Sequence, residues 1–447
     1  MDNIEVVNPE KLPSEIPCRR IDDFGLTGMK PNIVKLENGE LLLANFHSHS
    51  EAQKDGSICE HTMLHRSSDG GMTWTSLHHE ELLGREPYLN HFKGDIVMMT
   101  THVLPGEVRN KRKMTHAVLH RSEDGGMTWE SSAIRADDAS KERRATTTRN
   151  IFELDDGRYI LGVGYGYGEE YLYVSYDKGK SWKAERSCTK GISAARCEYY
   201  VFEEGVFFTT DSGRLMMLAR SNLNFLDISV TIPGIPEFDV KGTGSHDHYD
   251  IEILYESKDG GYTWEPVKAV QLVSCMYPSV CSLGGDLYLL TVTIRTVHGG
   301  NSMGVQAMFM EEKPDGDIVF HESSDRIIID RKTPSYLQSG GGFGNTIRLD
   351  DGTLLTPYSY YRADEETTEL MISGRFMEEG IFEKMRRNAE KYNKWAGGFS
   401  WESVRKGPDD LQRHCFLGSA EIMRHCGAKT ELAIWRMPAL KNNCRGD

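Results

Sequence analysis

The stretches SSDGGMTW (Ser67–Trp74) and SEDGGMTW (Ser122–Trp129) differ at one position. Looser copies follow as SYDKGKSW (Ser175–Trp182) and SKDGGYTW (Ser257–Trp264). All four obey Ser-x-Asp-x-Gly-x-(Thr/Ser)-Trp. Each follows a short alternating run (TMLHR, AVLHR, YLYV, EILYE), which reads as strand, turn, strand. In such a turn the aspartates Asp69, Asp124, Asp177 and Asp259 accept backbone N–H bonds, and the Ser and Thr hydroxyls add local bonds. Glycine permits positive φ, and the tryptophan supplies an apolar plate. The pattern is structural, because repeats spread around a fold cannot all converge on one substrate.

A second repeat runs in phase with the first. PNIVKLENGELLLANF (Pro31–Phe46), RNIFELDDGRYILGVG (Arg149–Gly164) and GNTIRLDDGTLLTPYS (Gly344–Ser359) are hairpins with Gly-containing turns. Residues 88–99, 198–220 and 277–292 are looser versions. Six hairpins, four of them followed by the octapeptide, predict an all-β chain folded as one six-bladed β-propeller of four-stranded antiparallel blades. Residues 221–250 read as an insertion in blade four. RFMEEGIFEKMRRNAEKYNKWAGG (Arg375–Gly398) reads as a helical insertion near the C-terminus, with the tail after it packing on the ring.

Composition narrows the function classes. The chain has 447 residues and a formal charge of −15, which disfavours nucleic-acid and anionic-membrane partners. The Gly-rich GGGFGN (Gly340–Asn345) precedes a strand, so it is no phosphate loop. The polar N-terminus carries no basic or apolar leader, and nine scattered cysteines show no CxxC pairing. The expectation is a cytoplasmic protein with no cofactor and no metal.

Four octapeptides on a six-hairpin pattern resemble the Asp-box (bacterial neuraminidase repeat) propellers of the sialidase superfamily, over roughly Met29–Phe376. That resemblance implies an arginine triad for a substrate carboxylate, an Asp acid/base and a Tyr nucleophile assisted by a Glu. Met29 stands where the first arginine is expected, with Lys30 beside it. Asp55 and Glu51 lie in the loop that carries the family's Asp. Glu198 and Arg220 match its Glu and second Arg, and Arg295 stands for the third. Phe343 occupies the nucleophile position, while Tyr336, Tyr358, Tyr360 and Tyr361 lie nearby. The scaffold matches, and the sialic-acid signature is divergent.

Aligning the repeats against one another locates a site independently. Innermost-strand starts converge on a propeller axis and place Lys30, Arg85, Glu86, Arg149, Arg196, Glu198, Tyr277 and Phe343 there. Second-strand ends add His47, His49, His102, Tyr165, Tyr167, Arg220, Arg295, His298 and Tyr358. This ring is mainly basic and suits an acidic sugar through bidentate Arg–carboxylate contacts. The competing reading is that its arginines pair with acids such as Glu86 and Glu169. Glu198 is the expected catalytic carboxylate, with Asp55 or His49 as its acid/base partner. Lys30, His47, Arg85, Arg149, Arg196, Arg220, Tyr277, Arg295 and Tyr358 are the expected substrate-binding residues. The expected activity is that of an exo-acting glycoside hydrolase on an acidic carbohydrate. The alternatives are a non-catalytic glycan-binding propeller and a polysaccharide lyase on uronic-acid glycans.

Overall fold

The computed structural model describes residues 2–24, 28–49, 59–105, 107, 109–110, 114–134, 145–165, 169–194, 204–223, 226–235, 250–272, 275–294, 304–330, 342–361 and 428–441. All their regular secondary structure is β-strand. The helix expected over 375–398 lies outside the described residues.

The strands fall into successive groups that follow the sequence repeat. The first group is Met29–Lys35, Leu41–His49, Cys59–Ser67 and Thr75–Leu77, antiparallel and in chain order. The second is Arg85–Phe92, Ile96–Val103, His116–Ser122 and Glu130–Ala133. The third is built on Ala145–Thr147, Phe152–Glu153, Tyr159–Tyr165, Glu169–Ser175 and Lys183–Arg186. The fourth holds Val206–Thr209, Leu215–Asn222, Asp250–Ser257 and Thr263–Ala269. The fifth holds Cys275–Ser282, Leu287–Ile294, Gly304–Glu312 and Arg326–Asp330, and the sixth Ile347–Arg348, Thr353–Tyr361 and Ala428–Arg436. The expected tail therefore contributes a strand to the last group.

The N-terminal hairpin was not legible as part of any repeat. Its first strand, Asp2–Val7, pairs with Arg326–Asp330, and its second, Glu15–Ile21, pairs with Ala428–Arg436. It thereby joins the outer edges of the fifth and sixth groups and covers strands that would otherwise be open. The Asp325 carboxylate anchors it by accepting the backbone N–H groups of Glu10, Lys11 and Leu12 at 2.8–3.0 Å.

Polar side chains, most of them buried, link one inner strand to the next. Asn32 Oδ1 accepts Leu89 N–H at 2.7 Å, Asn90 accepts Ile151 at 3.0 Å, and Asn150 accepts Phe207 at 2.7 Å. Ser279 Oγ accepts Thr346 N–H at 3.0 Å, and Asn345 accepts Ile33 at 2.9 Å, returning to the first group. Asn150 and Asn345 also donate to the carbonyls of Phe207 and Ile33, both at 2.8 Å. Asn150→Ala removes both bonds and strands a donor and an acceptor. We expect a loss of about 1–3 kcal/mol in urea unfolding, against little change for a substitution at the exposed Asn38.

The octapeptides form the turns the sequence predicts. Ser67 Oγ donates to Asp69 Oδ1 at 2.8 Å and accepts Gly71 N–H at 3.0 Å. Asp69 accepts the N–H groups of Met72 and Thr73 and the Thr73 hydroxyl at 2.6–3.0 Å. These bonds, the Thr73 hydroxyl first, bring the Asp69 carboxyl down to about 2. The same set recurs around Asp124. At Gly126, with φ of 87°, a Cβ would lie 2.8 Å from Leu42, so each turn seats closely on the preceding group.

Candidate functional site

One side chain from each inner-strand start meets its neighbours at the centre, and most of these positions share an unusual backbone. Lys30, Glu86, Glu204, Tyr277 and Phe343 have φ of 46°, 57°, 52°, 60° and 58°. In the first, second and fifth groups the strand register shifts there, between Met29 and Asn32, Arg85 and Tyr88, and Met276 and Ser279. A left-handed non-Gly residue is costly, of order 1–3 kcal/mol, and a bulge re-aims a side chain out of the alternating pattern. Here the repeated bulge turns large side chains toward one another.

The result is a closed network. Lys30 Nζ lies 2.5 Å from Glu86 Oε1, and Arg149 Nη1 lies 3.3 Å from Glu86 Oε2. Arg149 Nη2 pairs with Glu204, and Glu204 Oε2 accepts from Arg220 Nη1 at 2.9 Å. Arg220 also pairs with Asp250 at 2.8 Å. The aromatic side completes the circuit: Arg149 lies 3.8 Å from the Tyr277 ring centroid, Tyr277 meets Phe343 edge-on at 5.2 Å, and Lys30 sits 4.5 Å from Phe343. Arg149 is 2% exposed at the middle of this set.

Burial and charge oppose each other at every member. Burial pushes Lys30 down to about 8 although Glu86 and Glu204 support its charge. Burial also works against ionised Glu204, but Arg149, Arg220 and then Lys30 hold it at about 2. Glu86 is likewise held well below the usual carboxyl range against its burial, by Lys30, Arg149 and Arg85. Glu252, opposite Arg220 in the strand pair, behaves in the other way. It is 0% exposed, neither carboxyl oxygen has a hydrogen-bond partner among the described residues, and burial pushes it well above its ordinary 4.5.

These opposite shifts give opposite pH dependences. Ionised Glu86 and Glu204 contribute stability above the ordinary carboxyl value of 4.5, and it is lost as pH falls toward the folded values, about 2 for Glu204. Above pH 4.5 the unfolded chain releases the Glu252 proton while the folded chain keeps it, so stability falls as pH rises. Glu252→Gln removes this penalty. Its stability relative to the parent is expected to rise with pH above the ordinary carboxyl value of 4.5, by up to about 1.4 kcal/mol per pH unit in denaturant titrations.

Among the sequence-predicted residues, Lys30, Arg149, Arg220 and Tyr277 come together in this network. Arg85 lies beside it, 3.2 Å from Glu60 and 5.3 Å from the Phe46 ring. All four described cations of the basic ring expected from the sequence have a carboxylate partner. Tyr358 is corrected. It packs away from the network against Arg20, whose Nη1 donates to its hydroxyl at 2.5 Å, and against Glu431. Strand alternation explains this, since neighbouring Ser359 is the residue whose Oγ meets Lys30 N, at 3.3 Å. Glu198, Arg196, Asp55 and Arg295 lie outside the described residues. His47 and His49 end the strand Leu41–His49, and their side chains also lie outside the description.

In the fourth group the described residue that joins the network just before the inner strand Val206–Thr209 is Glu204, which the sequence reading did not single out. The signal was present: Gly213 follows Glu204 by the same interval as Gly39 follows Lys30 and Gly352 follows Phe343. Asp250 and Glu252 were missed because they stand on the third strand, after the insertion. Among the described residues no group of three His, Cys, Asp or Glu side chains is arranged to hold a metal. No helix there is long and apolar enough to cross a membrane.

Comparison with known proteins agrees with this architecture. The BNR repeat-like domain matches residues 13–289, more than half of the chain. A curated relative, the photosystem II assembly lipoprotein Ycf48 of a Synechococcus strain, is 24% identical over 246 residues, 51% of this chain and 62% of its own length. The chain thus spans less than two thirds of that relative. Among solved structures, NanB sialidase of Streptococcus pneumoniae aligns over 96% of this chain and 72% of its own, with TM-score 0.56 and 11% identity. The leech intramolecular trans-sialidase aligns over 75% and 65%, with TM-score 0.53 and 12% identity. A Dyadobacter fermentans protein of unknown function aligns over 80% and 95%, with TM-score 0.53 and 16% identity. At such identities the likeness shows the fold, a sialidase-like β-propeller. The chain belongs to the BNR repeat-like domain family.

Proposed function

We propose that the chain is a six-bladed, sialidase-like propeller that acts on carbohydrate at its axis, as an exo-acting glycoside hydrolase. The observation that carries this reading is the convergence of charged and aromatic side chains at the inner-strand starts, with ionised Glu204 between Arg149 and Arg220. Converging polar and aromatic groups at one point of the fold are what a site for a small polar ligand is built from. In this reading Glu198 at the axis, with Asp55 or His49 as its partner, supplies the proton transfers. Lys30, Arg85, Arg149 and Arg220 are already paired, so selection of an acidic sugar falls to Arg196, Arg295 and His47.

A screen of acidic and neutral glycosides for released sugar tests the reading. Turnover of a carboxylated glycoside is the expected result, and turnover confined to neutral glycosides removes the acidic-sugar part. The closed ion pairs of the axis favour one second reading, a glycan-binding propeller without catalysis. Saturable binding with no product from any bound glycan selects it.

A further inference from the structure

The octapeptide turns lie at the opposite ends of the strands from the axial network, since Ser67 pairs with Leu41 while Lys30 lies beside Met29 and Phe46. On that side a cleft of about 670 Å³ opens between the second and third strand groups. Its volume falls within the range of about 300–1,000 Å³ that suits small ligands. We propose that this cleft is a second carbohydrate site, for a neutral oligosaccharide, separate from the axis.

Three features select that ligand. First, Trp129 and Trp182 from successive octapeptides both line the cleft and both are half-buried. Each indole N–H is already donated inward, to Gly126 O and Gly179 O at 3.1 Å. What the rings offer a ligand is therefore apolar surface, which matches the C–H face of a pyranose. Second, the charges of the lining cancel. Arg121 donates to Glu123 at 2.7 Å, Lys180 lies 3.2 Å from the same carboxylate, and Glu130 supplies a second acid. An anionic ligand meets no surplus cation, whereas fixed donors and acceptors side by side suit vicinal hydroxyls. Third, the strand Glu130–Ala133, whose Glu130, Ser131 and Ser132 line the cleft, is the outermost of its sheet, so one row of its backbone groups has no neighbouring strand among the described residues.

The cleft is not an automatic product of the octapeptide. In the fourth group Trp264 is fully buried, and the strand that carries it is paired along its outer edge with Cys188–Thr189.

The proposal is tested with the full chain by isothermal titration and tryptophan fluorescence, using maltohexaose, cellohexaose and chitohexaose, with a galacturonic acid oligomer as the acidic probe. Saturable binding of a neutral hexasaccharide is expected. Lys180→Ala combined with Glu123→Ala, both exposed positions, weakens it by about tenfold, and Ser132→Trp, which fills the exposed strand side, abolishes it. The unfolding midpoints of these variants stay at the parent value, which separates lost binding from lost fold. Failure of all three neutral probes, binding that survives Ser132→Trp, or preference for the acidic oligomer overturns the proposal. Glycoside turnover in the Ser132→Trp protein is unchanged, so this outcome and that of the axial reading are read independently.

Discussion

Arg149→Met is expected to cost about 3–5 kcal/mol of stability, the largest loss from any single change considered for this protein. Arg149 is 2% exposed and lies between Glu86 and Glu204, with its guanidinium against the Tyr277 ring. Methionine fills similar volume but leaves two carboxylates facing each other with less positive charge to share. Lys30 remains bonded to Glu86 and Arg220 to Glu204, but neither takes the bridging place between the two carboxylates. Arg149→Lys recovers little, since an ammonium cannot span both carboxylates and lie flat on an aromatic ring. Urea unfolding checks the prediction, and a loss below about 1 kcal/mol for Arg149→Met would show that the network is held by other contacts. The double variant Arg149→Met with Glu204→Gln should regain part of the loss, because it removes one of the stranded charges.

The second large effect concerns turnover. If the axial reading holds, Glu198→Gln lowers glycoside turnover by about 10²–10⁴-fold, the range of a lost proton-transfer group, while the unfolding midpoint is retained. Glu204→Gln behaves differently. It weakens the pairing of both Arg149 and Arg220, so it lowers turnover and stability together. Full turnover by Glu198→Gln, with the loss appearing only in Glu204→Gln, transfers the carboxylate role to the inner-strand start of the fourth group. Parent-level turnover in both variants removes the axis from the chemistry altogether.

Much of the architecture was readable from spacing. The octapeptides and hairpins are local codes: a turn needs its Asp, Gly and Trp within eight residues, and each of the four copies forms the expected turn around Asp69, Asp124, Asp177 and Asp259. The same repeats placed Lys30, Glu86, Arg149, Tyr277 and Phe343 at inner-strand starts. In the fourth hairpin they placed Glu198, which lies outside the described residues, and did not single out Glu204, which stands two residues before the strand Val206–Thr209 and joins the network. The N-terminal hairpin was illegible for a different reason. Its two strands find partners more than 300 residues away in sequence, at Arg326–Asp330 and Ala428–Arg436, and no local pattern encodes such a pairing.

The sequence alone determined an all-β repeat chain, the register of its hairpins, the octapeptide turns and the positions that face the centre, because each depends on residues close together along the chain. Tertiary structure decided what those positions do to one another. From a list of arginines the axis looks basic. In three dimensions Lys30, Arg85, Arg149 and Arg220 each meet a carboxylate from a different strand, and Glu252 is buried without a hydrogen-bond partner among the described residues. Net charge at a site is a property of distances across strands, and those distances are set only when the strand groups close on one another.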